Sequence, residues 1–289
     1  MLNITYTSSS GEVFDLMATK LGRLKSAAFH NFEWSAEETA RQYGVKVKYW
    51  TKEPIEYDCQ LIFDGTLAER REALNAFHSA IEGDFFREEP GLLTWGESYI
   101  PCFIRSSATE PAEEPYRTLN NVTIYCPDPF WTVEQLISIA PVEDDPEADA
   151  DDKRYTSDGY GYTPGYRYPI VATAKSYNID HFAPCDFRLI AYGPTASVAV
   201  NIAGHLYAVQ HQVGEGEVLI IDSRETQADD MHCYLVSASG HITNCFNDRD
   251  PNSLLLQRIP SGHVTISYSQ EYGIDLTLYK KRSEPAWTS

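Results

Sequence analysis

The stretch Asn121-Val-Thr-Ile-Tyr-Cys-Pro-Asp-Pro-Phe-Trp131 decides how this chain is divided. Val122, Ile124 and Cys126 alternate with Thr123 and Tyr125, the period-two pattern of a strand with one buried face. Pro127 and Pro129 end the strand, because proline has no N–H to give to a sheet ladder. Phe130 and Trp131 follow at once and are too apolar to be left in water. The strand closes a first folding unit, and the Pro-Asp-Pro-Phe-Trp segment anchors the exit of the chain towards a spacer and a second unit.

Upstream of it, Thr109–Pro115 reads as an acidic, proline-containing loop. Leu92–Trp95 and Ser98–Arg105 read as a β-hairpin turning at Gly96, after the turn signal Pro90-Gly91. Residues 66–83 carry the clearest helix. Thr66 and Glu69 have the spacing of a capping box. Leu67, Leu74, Phe77 and Ile81 fall on one face with Ala73, Ala76 and Ala80 beside them, Arg70, Arg71 and Glu72 on the other, and Gly83 is a natural stop. The apolar face is expected to cover a sheet of the first unit. Before the helix, Ile4–Tyr6, Val13–Leu16, Val45–Trp50 and Gln60–Phe63 are short alternating runs separated by Gly11, Gly22, Gly44 and Pro54, which predicts a small antiparallel sheet system. Glu33–Tyr43, polar and alanine-containing, reads as a short helix or a long loop.

Downstream, Glu143 to Asp152 is densely acidic and stays solvated through self-repulsion. The Tyr/Gly segment Tyr155–Tyr168 follows, so 134–168 reads as a linker or exposed insertion. The acidic run lacks the glycine and glutamate spacing of a hand-type calcium loop. Residues 169–289 then show a regular beat of strands: Phe187–Ala191, Ser197–Ile202, Leu206–Val209, Val218–Asp222, Cys233–Val236, Val264–Ser269 and Ile274–Tyr279. Glycine and proline turns between them argue for a β-sandwich or jelly roll.

With 289 residues and a hydrophobic fraction of 43%, the chain can bury two cores. Nineteen tyrosines against three methionines suit sheets and interaction surfaces. A net charge of -19 argues against a groove for nucleic-acid phosphates, which needs clustered Lys and Arg, and hence against sequence-specific nucleic-acid binding. No segment is long and apolar enough for a membrane span, and the first residues lack the pattern of a secretory signal, which predicts synthesis and folding in a cytoplasm. The six cysteines, at 59, 102, 126, 185, 233 and 245, form no Cys-x-x-Cys pair and read as buried reduced thiols.

Motifs for chemistry are missing. Gly214-Glu-Gly216 lacks the third glycine and the helix of a nucleotide turn, and no metalloprotease or nucleophile-elbow pattern is present. Ser237-Ala-Ser-Gly240 reads as a hairpin turn. His205 and His211 could face one side of a strand and hold a metal, but scattered histidines are the commoner outcome. The many carboxylates make pairs inevitable, so a pair carries no signal for glycoside hydrolysis. The residues thus predict no catalytic, cofactor or metal site.

In order along the chain, these features resemble the distal tail protein (Dit) family of long-tailed phages. The resemblance covers most of the chain. It is carried by a strand ending at Phe63, the helix with Arg71 and Leu74, Pro90-Gly91-Leu92 with its hairpin, and Val122–Trp131. In the second half it is carried by Gly216–Asp222, the hairpin around Gly240, and Pro260-Ser-Gly262 before Val264–Ser269. Glu143–Tyr168 is longer than a plain connection and reads as a phage-specific contact surface.

The resemblance implies a mainly β protein. Residues 1–133 would be a ring-forming β-sandwich or split barrel with one helix and a β-hairpin, 134–168 the linker, and 169–289 a galectin-like β-sandwich of jelly-roll type. It implies a structural role without catalysis or cofactor: a homohexameric hub at the tip of a non-contractile tail, located in the virion. Its partners would be further copies of itself, the tail tube protein, the tape measure protein, the tail-tip hub or tail-associated lysin, and receptor-binding proteins. A channel that passes DNA should not bind it, and an acidic chain suits that. Because a galectin-like sandwich can bind sugars, the resemblance also admits a carbohydrate-binding protein, with Tyr207, Tyr234 and Tyr268 as candidate platforms and Trp287, after the last strand, a poorer one.

Overall fold

A computed structural model describes residues 3–18, 22–111, 116–141, 174–224, 231–269 and 271–287. They belong to two compact units, Met1–Glu134 with Lys281–Ser289, and Gln135–Lys280. The protein is mainly β, with antiparallel ladders and one α-helix among the described residues.

In the first unit the strands are β1 (Ile4–Thr7), β2 (Val13–Asp15), β3 (Arg23–Ser26), β4 (Ser35–Ala40), β5 (Val45–Thr51) and β6 (Ile55–Asp64). Helix α1 (Leu67–Arg87) follows, then β7 (Gly91–Trp95), β8 (Ser98–Pro111), β9 (Arg117–Cys126) and β10 (Trp131–Ile139), which from Gln135 onward groups with the second unit. One run of pairings is β2-β1-β7-β8-β10, the other β3-β6-β9-β8. The long strand β8 serves both. Ser98 to Cys102 pair with β7, and from Phe103 onward the strand pairs with β9, with a register shift between Ile104 and Ser106. Bulged strands that change sheets make the corners of sandwiches.

The alternation in the stretch quoted above holds through β9: Asn120, Val122, Ile124 and Cys126 are buried and the residues between them half-exposed. Val122, Ile124 and Cys126 join Tyr57, Cys59, Leu61 and Phe63 of β6 in one core, closed by the fully buried Trp131. The Trp131 indole N–H donates to the Tyr57 hydroxyl at 3.1 Å, and Phe29 meets Tyr57, Trp95 and Trp131 edge-on.

Helix α1 starts at Thr66 with the expected capping box. Phe77 and Ile81 are buried in the core of this unit and Leu74 packs beside them, while Leu67 lies in solvent. Arg70, assigned to the solvent face, is buried instead and donates to Thr118 Oγ1 at 2.7 Å. The helix does not stop at Gly83. It continues to Arg87, and Glu88 takes the left-handed cap at φ 57. An internal glycine costs only about 1 kcal/mol relative to alanine, and the next residue, Asp84, ties the last turn down. Its buried carboxylate accepts hydrogen bonds from the Tyr6 hydroxyl and from Ser9 N and Oγ, at 2.8 and 2.7 Å for the latter two. Burial foremost, then this hydrogen bond, holds the Tyr6 pKa well above the usual phenol range.

Other differences from the sequence reading concern boundaries. Ser35–Ala40 is neither helix nor loop but strand β4, because β5 offers a partner along its whole length, from Ser35↔Thr51 to Ala40↔Val45. Pairing of this kind overrides weak local propensity. Thr109–Pro111 continue β8 opposite β9 rather than forming a loop, and 134–139, expected in the linker, are strand. Lys281–Ser289 group with the first unit rather than the second. The acidic and Tyr/Gly part of the linker lies outside the described residues.

The second unit contains β11 (Lys175–Ile179), β12 (Asp186–Tyr192), β13 (Val198–Ile202), β14 (His205–Val209) and β15 (Val218–Asp222). Next come β16 (Cys233–Val236), β17 (Ile242–Asn244), β18 (Gly262–Ser267) and β19 (Ile274–Arg282). One sheet runs β17-β16-β15-β12-β19 and the other β11-β18-β13-β14. Both contribute to a single core: Phe187, Leu189, Ile221 and Leu276 from the first, Val198, Val200, Val264 and Ile266 from the second. This is the sandwich that the strand beat predicts. β11 was not anticipated, because it is short, while β17 is the exposed second strand of the hairpin expected around Gly240. The turn at Ser237–Gly240 forms as expected, with Gly240 at φ 81.

Candidate interaction surfaces

The residues singled out for chemistry scatter. Tyr207 and Tyr268 are core residues, at 0% and 3% exposure, so neither ring face is open to a sugar. Their hydroxyls donate to the carbonyls of Gln257 at 2.7 Å and Ile139 at 3.4 Å, and burial pushes both pKa values up to about 12. Tyr234 is half-buried. Trp287 belongs to the first unit, where it stacks on His30 with ring centroids 3.7 Å apart. His205 lies 3.4 Å from the Gln257 amide, whereas His211 bonds to Asp248. All six cysteines are buried and unbridged. Burial raises the thiol pKa values of Cys59 and Cys233 to about 12, which makes them poor nucleophiles.

The most exposed apolar surface of the first unit is the hairpin β4–β5. Among the described residues the two strands pair only with each other, and apart from half-buried Ala36 all their residues are exposed. Tyr43 sits at the tip, beside a turn closed by Arg41 N donating to Gly44 O at 3.0 Å. Val45, Val47, Tyr49 and Trp50 line β5. Lys48 pairs with Glu37 at 3.0 Å, and the Tyr49 hydroxyl donates to the same carboxylate, so polar contacts stiffen the hairpin without burying it.

Its root is fixed by the segment that follows β9. The Lys52 ammonium lies 4.7 Å from the Phe130 ring centroid, with Phe32 and Trp34 at 5.9 and 6.0 Å. It donates to Pro129 O at 2.6 Å and Ser283 O at 3.3 Å. Burial lowers its pKa against the opposing pull of Asp128, which itself accepts from Lys281 at 2.9 Å. An ammonium ringed by aromatic faces and carbonyls is a directional clamp. The Pro-Asp-Pro-Phe-Trp segment therefore seats this arm, and the chain runs on from it directly into β10. The alternation of Val45, Val47 and Tyr49 against Lys46 and Lys48 marked the strand, but it held no sign that both faces would meet solvent.

Two further surfaces stand out. On α1, Phe86 is exposed and Phe85 partly so, the latter beside Phe103 at 5.3 Å. In the second unit, Pro184, Phe246, Leu254, Leu256, Arg249 and Arg258 line an open apolar cleft of about 600 Å³. Arg258 is held by Asp186 at 2.7 Å, and Arg249 lies over Phe246 at 4.6 Å.

Two sandwich-like β units, the first with a helix and an exposed hairpin, make up a fold found in the adsorption machinery of phages. It is shared, over 96% of this chain and 99% of the other, by the SPP1 Dit protein (gp 19.1), described as a paradigm of the hub adsorption apparatus in phages infecting Gram-positive bacteria, with a TM-score of 0.59 and 9% identity. It is shared equally by a chain of the phage P2 baseplate in its activated conformation, solved with Ca and with Sr. There the TM-score is 0.61 in each case, the identities are 12% and 13%, and 99% of this chain aligns with 100% of the other. Neither a protein-family model nor a curated protein matches the sequence. At such identities the common property is the fold.

Proposed function

We propose that this protein is a structural hub of a phage tail, acting through surfaces rather than through catalysis. The observation that carries the reading is the end-to-end correspondence with hub and baseplate chains, across both units and nearly the whole of each partner. In this reading six copies of the first unit form a ring at the tip of a long non-contractile tail. The ring joins the tail tube and tape measure protein to the tail-tip hub or tail-associated lysin. The galectin-like second unit offers a seat for receptor-binding proteins. The protein would be made in the host cytoplasm and end in the virion.

The exposed β4–β5 arm supports the reading, because an apolar hairpin is costly to leave in water and useful between subunits. The net charge of -19 suits a lumen that must let DNA slide. Native mass and electron images of the purified protein test it: six-copy rings are expected. A chain that stays monomeric alone and with tail-tube and tail-tip partners would overturn it. The glycan-binding reading loses Tyr207 and Tyr268 to the core.

A further inference from the structure

We infer that His211, Cys245 and Asp248 form a binding site for a soft or borderline divalent cation of the zinc type, in the second unit. The inference does not rest on the hub reading. One donor atom from each residue lies within 4.8 Å of those of the other two. In a tetrahedral zinc site with bonds of about 2.0–2.3 Å, neighbouring donors stand roughly 3.3–3.7 Å apart. The widest pair of donors therefore needs to close by at most roughly 1.1–1.5 Å, while the His211–Asp248 pair, at 2.8 Å, opens slightly.

Two segments bring the donors together, and main-chain bonds fix both. His211 follows β14. Cys245 and Asp248 lie in the turn after β17, where Asp248 N donates to Cys245 O at 3.0 Å and Cys245 N to Cys233 O at 2.9 Å. The segments are joined by Gln210 N donating to Asp248 O at 2.7 Å and by the bridge between Val209 and Arg249. The donors are thus held before any ion arrives.

In the ion-free arrangement His211 Nδ1 faces Asp248 Oδ2 at 2.8 Å, and the Cys245 thiol donates to Thr243 O of β17 at 3.4 Å, so both contacts yield when a cation binds. When a cation binds, the Cys245 thiol proton leaves to solvent and the thiolate takes its place in the coordination shell. Cys245 is buried while His211 and Asp248 reach the surface, so the ion would enter from the histidine side and keep a water in its open position. A donor set of imidazole, thiolate and carboxylate selects zinc-like ions over calcium, which takes six to eight oxygens.

The test uses the full chain, stripped with a chelator and titrated with Co²⁺ as a spectroscopic probe for zinc. One equivalent per chain should give a thiolate-to-cobalt charge-transfer band, release protons, and be displaced by zinc. Cys245→Ser should abolish the band. His211→Ala, at a partly exposed position, should weaken binding by about tenfold or more while leaving the circular dichroism unchanged. Should the Cys245 variant fail to fold, His211→Ala and Asp248→Asn decide the matter. Absence of the band, its survival in Cys245→Ser, unchanged affinity in the histidine and aspartate variants, or displacement by calcium would each overturn the assignment.

Discussion

Two strands of the first unit carry nearly the same pattern and meet opposite fates. β9 contains Val122-Thr-Ile-Tyr-Cys126, and every second side chain is buried. β5 reads Val45-Lys-Val-Lys-Tyr-Trp-Thr51, and none of its residues is buried. The difference lies in the neighbours. β9 pairs on both edges, with β6 and β8, and its inward face meets Trp131 and the β6 side chains. β5 has β4 on one edge and, among the described residues, no other partner. Alternation specifies a strand with two unlike faces. It does not say whether the chain itself or another molecule covers the apolar one.

If that contrast is right, substitutions in the two strands should separate stability from assembly. The largest loss is expected for Ile124→Ala, which empties a site only 3% exposed; denaturant titration should show about 2–5 kcal/mol. Next comes alkaline pH. Cys59 and Cys233 have pKa values raised from 9.0 to about 12 in the folded protein, and Cys185 to about 11. The native state thus holds protons that the unfolded chain releases near pH 9. The stability from these thiols is complete below that pH and drains away between about 9 and 12. The urea midpoint should fall across that window, and less steeply in Cys59→Ala.

Gly91→Ala should cost about 1–3 kcal/mol by overpacking, because an added Cβ would lie 2.7 Å from the Tyr6 ring and 2.8 Å from Thr7 O. Thr66→Ala, which removes one half of the capping box, should cost about 1 kcal/mol in the same assay. The smallest effect on the isolated protein belongs to the arm. Trp50→Ala should move stability by no more than about 0.5 kcal/mol yet impair ring formation in native mass measurements. A large loss of stability in Trp50→Ala would erase the distinction between the strands.

The sequence was informative where burial is internal and local. Alternation found β9 and most of the second sandwich, and helical spacing with Thr66 and Glu69 found α1. It misled at Gly83, since the Asp84 network that carries the helix onward depends on Tyr6 and Ser9, far back in the chain. It missed β4 because an acidic, alanine-bearing strand is specified by its partner. Of the three residues proposed to hold a cation, the sequence offered His211 as a metal candidate beside His205 and Cys245 only as a buried thiol, since Cys245 and Asp248 approach His211 through main-chain bonds that no spacing rule encodes.

The clamp on Lys52 sets an order of manufacture. Ser283 O and the Lys281 ammonium, which complete the root of the arm, are translated only after the whole second unit. A nascent chain therefore lacks the Ser283 acceptor and the Lys281–Asp128 pair until synthesis has passed the second unit. In the proposed ring, neighbours that dock against the fully clamped arm would be offered finished copies in preference to partial ones.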